Sequence, residues 1–309
     1  MHRRDLLKSI GVGFIAGGTL FSQASDASVA TAAGIGMCDW NLGGTCDPEL
    51  IPKAAQAHLQ GLQISVGSAP DHMPLREKKV RARYLELGKK HGITVHSVAA
   101  GSILNKIPLA TEPQSAVYVI DAIEAAAALG AGNILMAFFG NGDLRVKNSD
   151  DQHVDLEDGA FSSYQLVEKH VDRVVSVLRQ IVPRAEDAGV VLGLENTLTA
   201  KQNLEVIERV GSPLLQVYYD IGNSTHYGYD VPGEIRLLGR ERICEVHIKD
   251  WQQKVYSQGQ GEVKMKAAAR ALARIGYDKW YCLETSGRKG KFIEDTRDNV
   301  AFVKKTFSV

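Results

Sequence analysis

One short segment, residues 243–251, combines an apolar strand with side chains that bind metals and form hydrogen bonds. Its β-branched residues are typical of a buried strand, and His247, Lys249 and Asp250 follow at its carboxyl end. In α/β folds, ligands bind at the carboxyl ends of parallel strands. Taken alone, this strand end is also compatible with a histidine satisfied in the core and a solvated turn.

The same pattern recurs on three further apolar segments, each of which ends in an acid. These segments cover 190–195, 215–220 and 280–284, and they end in Glu195, Asp220 and Glu284. Three carboxylates and the imidazole of His247 suit one divalent ion, and this oxygen-rich set favours Mn²⁺, with Mg²⁺, Co²⁺ or Zn²⁺ as alternatives. The sequence therefore predicts a metal site with the ligands Glu195, Asp220, His247 and Glu284.

The elements that must position these ligands alternate regularly along the chain. Four earlier strands are predicted at 35–40, 61–66, 93–98 and 133–138, and a long polar loop at 140–159. Helices are predicted at 48–59, 71–91, 114–129, 165–188, 202–210, 231–238, 263–275 and 291–306. About eight strand-helix units predict an α/β fold with a single (β/α)₈ TIM barrel, whose active site lies at the carboxyl ends of its strands. A doubly wound sheet is the alternative, but no Gly-x-Gly-x-x-Gly follows the first strand.

Four short motifs carry a more specific resemblance: Leu192-Gly-Leu-Glu195-Asn, Tyr219-Asp220-Ile-Gly-Asn, Val246-His247-Ile-Lys-Asp250 and Leu283-Glu284-Thr. They resemble the metal-site motifs of the xylose-isomerase-like TIM-barrel superfamily, and most closely its sugar phosphate isomerase/epimerase family, which includes ketose 3-epimerases. The resemblance covers residues 34–309. It implies a metal-dependent enzyme that removes a proton next to the carbonyl of a sugar or keto-sugar, through an enediolate. Glu195 and Glu284 would transfer the proton, and Asp220 and His247 would be ligands only.

Candidate substrate contacts lie near the ends of the predicted strands: Trp40, His96, Asn223, His226, Lys249 and Asp250. The epimerases that the chain resembles have a histidine three residues after the aspartate, where it contacts the substrate. This chain has Asn223 there, and His226 follows three residues later. An asparagine can still form a hydrogen bond with a hydroxyl group.

Three other functions compete with an isomerase or epimerase. A lyase or hydrolase of 3-keto-glycosides could use the same proton removal to expel a substituent by β-elimination. An AP-endonuclease-like hydrolase would need three zinc ions and more histidines, and a non-catalytic sugar-binding barrel would not need all four ligands. The 36 basic and 36 acidic residues balance, which argues against a nucleic-acid partner. The expected partner is a small-molecule carbohydrate, and the sequence leaves a homo-oligomer open.

The first 33 residues are typical of a Tat signal peptide followed by a small-residue linker. Arg3 and Arg4 form the twin-arginine pair, and a weakly apolar run at 10–21 follows. That run is too short to span a bilayer of about 30 Å, so no stable membrane insertion is expected after cleavage near 22–24 or 28–30. The predicted location is the periplasm, which disfavours phosphorylated substrates.

Four cysteines raise the question of disulfides in an exported protein. Strand alternation predicts that Cys282 points into the core with Glu284, and that Cys244 faces the side opposite to His247. Both are expected to be free. Cys38 and Cys46 flank one loop and could pair, but sequence alone does not give their separation.

Overall fold

The computed structural model describes residues 34–158 and 161–309. The predicted signal segment, residues 1–33, lies outside the described residues. Among the helices of the described ranges, none combines the length and the apolar character needed to cross a membrane.

Eight parallel strands close into a barrel, and two more form a separate hairpin in the described part of the chain. The strands are β1 (Ile35–Cys38), β2 (Gly61–Ser65), β3 (Thr94–Ala99), β4 (Asn133–Phe138), β5 (Asp155–Asp158), β6 (Phe161–Tyr164), β7 (Val191–Asn196), β8 (Leu215–Asp220), β9 (Ile243–Ile248) and β10 (Tyr281–Leu283). The barrel order is β1-β10-β9-β8-β7-β4-β3-β2, and β5 pairs with β6 in antiparallel orientation. The predicted single (β/α)₈ TIM barrel is confirmed.

Helices follow the strands and cover the outside of the barrel. They are α1 (Asp39–Leu42), α2 (Ile51–Gln56), α3 (Lys78–His91), α4 (Gly101–Leu104), α5 (Ala116–Leu129), α6 (Glu168–Ala188), α7 (Ala200–Val210), α8 (Ile221–His226), α9 (Val231–Arg242), α10 (Met265–Arg274) and α11 (Phe292–Phe307). Three short helices, α1, α4 and α8, begin close after the barrel strands β1, β3 and β8. The sequence patterns did not predict these three, because each is too short to show a helical period.

Strand alternation separates the apolar core from the candidate site. On β7, Leu192 and Leu194 are buried in the main core together with Val206 and Ile207 of α7. Glu195 has the opposite parity and lines a cavity at the carboxyl end of the barrel. Each fully buried leucine stabilises the fold by about 1.5–3 kcal/mol. The packing of the apolar side chains against the helices therefore determines that side chains of the opposite parity, such as that of Glu195, face the inside of the barrel.

Strand alternation is interrupted at Cys244. The β8–β9 register pairs Val217 with Ile243 and Tyr218 with Glu245, so β9 carries one extra residue there. This β-bulge turns the Cys244 side chain into the barrel, where it packs with Tyr218. The prediction that Cys244 faces away from His247 was therefore wrong.

All four cysteines are free thiols. The disulfide that the sequence left open between Cys38 and Cys46 is not formed. Instead, Cys38 Sγ lies inside the barrel, 3.6 Å from Cys282 Sγ. The expected inward direction of Cys282 agrees with its full burial.

Candidate metal centre and substrate pocket

The four predicted ligands converge at the carboxyl ends of consecutive barrel strands. One ligand atom from each of Glu195, Asp220, His247 and Glu284 lies within 4.8 Å of the others. His247 Nδ1 is 3.1 Å from Glu195 Oε1, 3.4 Å from Glu284 Oε2 and 4.0 Å from Asp220 Oδ2. One edge of the imidazole therefore faces all three carboxylates. We call these four residues the rim cluster.

The two oxygens of the Asp220 carboxylate differ in their hydrogen bonds. Oδ1 accepts the backbone N–H groups of Gly222 and Asn223 and caps α8. Oδ2 is buried and has no hydrogen-bond partner among the described residues. Burial raises the pKa of Asp220 to about 7, against the lowering effect of Lys249. A divalent cation fits this cluster, since it would satisfy the orphaned oxygen and neutralise the neighbouring carboxylates.

The other edge of the His247 ring contacts a glutamine. His247 Nε2 lies 3.0 Å from Gln63 Oε1, and Gln63 Nε2 in turn donates to Ser97 Oγ at 3.1 Å. Because an amide oxygen only accepts, Nε2 carries the hydrogen in this contact and Nδ1 is left to face the carboxylates. Sequence reasoning missed Gln63, although a glutamine within an apolar strand was a visible signal.

Lys249 adds a positive charge beside two of the carboxylates. Its Nζ lies 3.1 Å from Glu284 Oε2 and 3.8 Å from Asp220 Oδ2. Burial by itself would raise the pKa of Glu284, but the charges of His247 and Lys249 outweigh it and hold this pKa below its usual value. Glu284 is therefore ionised at neutral pH and can accept a proton.

A cavity of about 550 Å³ opens above the rim cluster, a size typical of small-molecule sites. Glu195 and Glu284 line it, as do Trp40, Asn223 and Lys249, which the sequence placed near the substrate. Sequence reasoning did not select the further lining residues, which come from the end of β2, from loops and from a short helix: Ser65, Ser102, Asn105, Phe139, Tyr227 and Trp251. The cavity thus presents hydroxyl, amide and aromatic groups opposite the carboxylates, as a sugar ligand requires.

Two predicted substrate contacts need correction because the structure uses them elsewhere. His96 is only 2% exposed, stacks on Trp280 at 4.5 Å and does not line the cavity. Asp250 is buried as well, and its carboxylate accepts the backbone N–H groups of Gln252 and Val263. Asp250 therefore orders the loop after β9 instead of facing a substrate.

His226 contributes to the cavity only indirectly. It is exposed at the end of α8 and is not part of the cavity lining. Its ring stacks on Trp251 with centroids 4.7 Å apart, and Trp251 does line the cavity. His226 therefore positions an aromatic wall of the pocket in this structure.

Comparisons with known proteins agree with this architecture. A family model described as a xylose isomerase-like TIM barrel matches residues 51–306. The 2-epi-5-epi-valiolone 7-phosphate 2-epimerase of Actinoplanes sp. (strain SE50/110) is 25% identical over 218 residues, which cover 70% of this chain and 72% of that protein.

Two solved structures show the same fold. One is the apo form of 3-keto-D-glucoside 4-epimerase from E. coli, with a TM-score of 0.68, 14% identity and coverage of 88% of this chain and 99% of that one. The other is D-psicose 3-epimerase from Clostridium cellulolyticum H10 with D-tagatose, with a TM-score of 0.66, 18% identity and coverage of 89% and 99%. The family match extends over most of the chain, so the resemblance seen in the four motifs is confirmed. The chain belongs to the xylose isomerase-like TIM barrel family.

Proposed function

We propose that this protein is a divalent-metal-dependent isomerase or epimerase of an unphosphorylated sugar or keto-sugar. The observation that carries the proposal is the rim cluster, in which three carboxylates face His247 Nδ1 and two of them, those of Glu195 and Glu284, line the cavity. The class agrees with the relatives named above, which are epimerases. Oxygen-rich ligation favours Mn²⁺ over softer ions.

Glu195 and Glu284 are the proposed proton-transfer pair. Both line the cavity, and both carboxylates face the Nδ1 edge of His247. One would remove the proton next to the substrate carbonyl, and the other would return a proton to the enediolate. Lys249 Nζ, 3.1 Å from Glu284, is placed to donate a hydrogen bond to the developing oxyanion. A bound divalent ion would supply Lewis-acid polarisation of the carbonyl group.

The arginines near the rim support an unphosphorylated substrate. The guanidinium of Arg145 donates to Asp143 at 2.8 Å and lies between the rings of Tyr164 and Tyr227. Arg288 likewise donates to Asp295. Of the described residues that line the cavity, Lys249 is the one cation, and Asp220 and Glu284 already oppose its charge. A phosphate dianion calls for a free bidentate arginine or several free N–H groups.

The direct test is exchange of substrate hydrogen with D₂O, followed by NMR on a panel of free and 3-keto sugars. In Mn²⁺-loaded protein, Glu195→Gln and Glu284→Gln should each lower exchange by about 10²-fold or more, because an amide is not a base. Glu205→Gln, at an exposed position on α7, is the matched control and should exchange normally. Metal content is measured in parallel, since both glutamates are also candidate ligands.

Normal exchange in both Gln variants would refute the acid/base assignment. The products distinguish the alternative function, a lyase of 3-keto-glycosides. An epimerase returns the sugar with inverted configuration, whereas β-elimination releases the substituent as a second product. Exchange without release therefore supports the isomerase or epimerase, and stoichiometric release supports the lyase.

A further inference from the structure

A second group of metal-ligating side chains lies inside the barrel, outside the cavity lining. His96 of β3, Glu245 of β9 and Cys282 of β10 each offer one ligand atom within 4.8 Å of the others. His96 is 2% exposed, and the other two are fully buried. We call these three residues the core cluster. None of them belongs to the rim cluster.

The barrel makes room for this cluster with glycines. A Cβ atom added to Gly36 would lie 2.1 Å from His96 Nε2, and one added to Gly61 would lie 2.8 Å from His96 Cδ2. TIM barrels ordinarily fill this interior with bulky branched apolar side chains. Here the strands instead accommodate an imidazole, a carboxylate and a thiol. The register pairs Gly36 with Cys282, so His96 Nε2 lies towards the strand that carries the thiol.

The two nitrogens of the His96 ring have different surroundings. Nδ1 lies 2.8 Å from Glu245 Oε1. Within the described ranges, neither ring nitrogen makes an aligned hydrogen bond, although the ring is buried. The Glu245 carboxylate has further hydrogen-bond partners. It accepts a hydrogen bond from the hydroxyl of Tyr218 and another from Asn133 Nδ2 at 2.9 Å. Nδ1 is thus paired with the Glu245 carboxylate, whereas Nε2 is buried without an aligned hydrogen bond, a cost that a ligand would remove.

We propose that the core cluster holds a thiophilic divalent cation such as Zn²⁺, separate from the ion of the rim cluster. The ion needs Cys282 as a thiolate and one nitrogen of His96 without a proton, and the displaced protons pass to solvent. One thiolate and one carboxylate then neutralise the two positive charges of the ion. A neutral site is what a fully buried position requires. The sulfur, nitrogen and oxygen donors are softer than the rim cluster's three carboxylates and one imidazole, so the two sites select different metals.

Cys38 lies beside the core cluster but outside it. Its Sγ is 3.6 Å from Cys282 Sγ, and it groups with Cys282 and His247, not with His96 and Glu245. The core site therefore takes its protein ligands from His96, Glu245 and Cys282, and the ion would tie β3, β9 and β10 together.

The test uses the full chain loaded with Co²⁺, whose bonds to sulfur give a near-ultraviolet charge-transfer band. The wild-type chain should bind two ions and show the band. Cys282→Ser should lose one ion and the band, whereas Asp220→Ala should lose the other ion and keep the band. Cys244→Ser is the matched control, because Cys244 is a buried thiol of β9 outside the core cluster, and it should retain both ions and the band.

Absence of the band in the wild-type chain, or its survival in Cys282→Ser, would overturn the proposal. If Cys282→Ser does not fold, ¹¹³Cd NMR of the wild-type chain decides: a sulfur-ligated resonance supports the core site, and only oxygen-ligated resonances refute it. The outcome is independent of the proposed epimerase activity. A chain that keeps the band but never exchanges substrate deuterium would retain the core site and lose the proposed function.

Discussion

The contact between His247 and Gln63 determines which imidazole nitrogen faces the carboxylates. Gln63 Oε1 accepts from Nε2, and the chain of donors continues through Ser97 Oγ to Asn133 Oδ1 at 2.8 Å. Asn133 Nδ2 ends the chain on the buried carboxylate of Glu245. Each group donates away from His247, so the whole chain favours one tautomer. That tautomer leaves Nδ1 free to bind a cation.

Gln63→Leu should therefore weaken metal binding without touching a ligand. Removing the acceptor leaves a buried N–H unsatisfied, and the loss of such an outer contact typically lowers metal affinity about 10–100-fold. Competition with a chelator measures the change. Gln63→Glu keeps an acceptor for Nε2 and serves as the matched control, with affinity close to that of the wild type. Equal affinities in the Leu variant and the wild type would contradict the role assigned to Gln63.

Single residues were predictable where chemistry and strand position coincided. Glu195, Asp220, His247 and Glu284 each end an apolar run, and the barrel brings such ends together. The residues that each of these side chains contacts were not predictable in the same way. His96 also ends a run of β-branched residues, yet a bulge in the β2–β3 register and the space above two glycines take it into the core.

At the scale of elements, α8 joins the metal site to a helix cap. Asp220 is both the last residue of β8 and the N-cap of α8. Its Oδ1 caps the helix, and its Oδ2 faces His247 in the rim cluster. Asn223 lies in the first turn of this helix and lines the cavity, with its Nδ2 3.5 Å from Glu195 Oε1. The short helix α8 therefore carries a cavity-lining side chain three residues after Asp220, a candidate metal ligand.

Two substitutions of Asp220 should separate these roles. Asp220→Asn keeps an oxygen for the Gly222 and Asn223 N–H groups, so it should lose metal affinity while largely preserving stability. Asp220→Ala also removes the cap, at a cost of about 1 kcal/mol. Denaturant unfolding of the metal-free variants measures the difference. If both variants were equally stable without metal, the hydrogen bonds to Oδ1 would contribute nothing to stability, and Asp220 would have no capping role.

The long strands and helices were predictable from the regular spacing of their apolar residues, and the irregular elements were not. Strands and amphipathic helices follow from where apolar side chains recur, as α6 shows with its buried positions from Val171 to Ala185. The region 140–159 was expected to be a polar loop, but its end and the following residues form the hairpin of β5 and β6. The hairpin sequence lacks an alternating apolar face, so periodicity could not reveal it.

At the scale of the molecule, the rim cluster couples metal binding to pH. Burial raises the pKa of Asp220 to about 7, and it would lower the pKa of His247, which the charge of Glu195 instead holds well above its usual value. Both groups bind protons more tightly in the folded, metal-free protein than in the unfolded chain. Their contribution to stability is therefore present at low pH and is lost as pH rises through the folded pKa of each. Glu284, with its lowered pKa, remains ionised in this range.

A divalent ion must displace those protons, so its stabilising effect should grow with pH. We expect apparent metal affinity to rise at least tenfold per pH unit below about pH 7, and the Mn²⁺-induced increase in Tm to be larger at about pH 8 than at about pH 5.5. Thermal melts with and without Mn²⁺ measure this difference. Asp220→Asn, which does not titrate, should show a flatter dependence. An equal Tm increase at both pH values in the wild type would contradict the linkage.

Export of the whole protein is predicted from residues 1–33 of the sequence alone. Arg3 and Arg4 should direct a folded chain through the Tat route, so changing both to Lys should leave active, metal-loaded protein in the cytoplasm. Fractionation followed by metal analysis and D₂O exchange measures this, and a single change at Lys8 is the matched control. Export that persists in the double variant would contradict Tat targeting.

Location and substrate are linked through the pocket's charges. A periplasmic enzyme meets free sugars and glycosides, and the cavity's one cation among the described lining residues, Lys249, is already opposed by two carboxylates. Inorganic phosphate and sugar phosphates should therefore compete poorly with unphosphorylated keto-sugars in the exchange assay. Arg288→Ala should not change that ranking, because Arg288 is already bound to Asp295. Tight sugar phosphate binding that Arg288→Ala abolishes would instead show that this ion pair opens to take a phosphorylated substrate, and it would remove the argument for a periplasmic one.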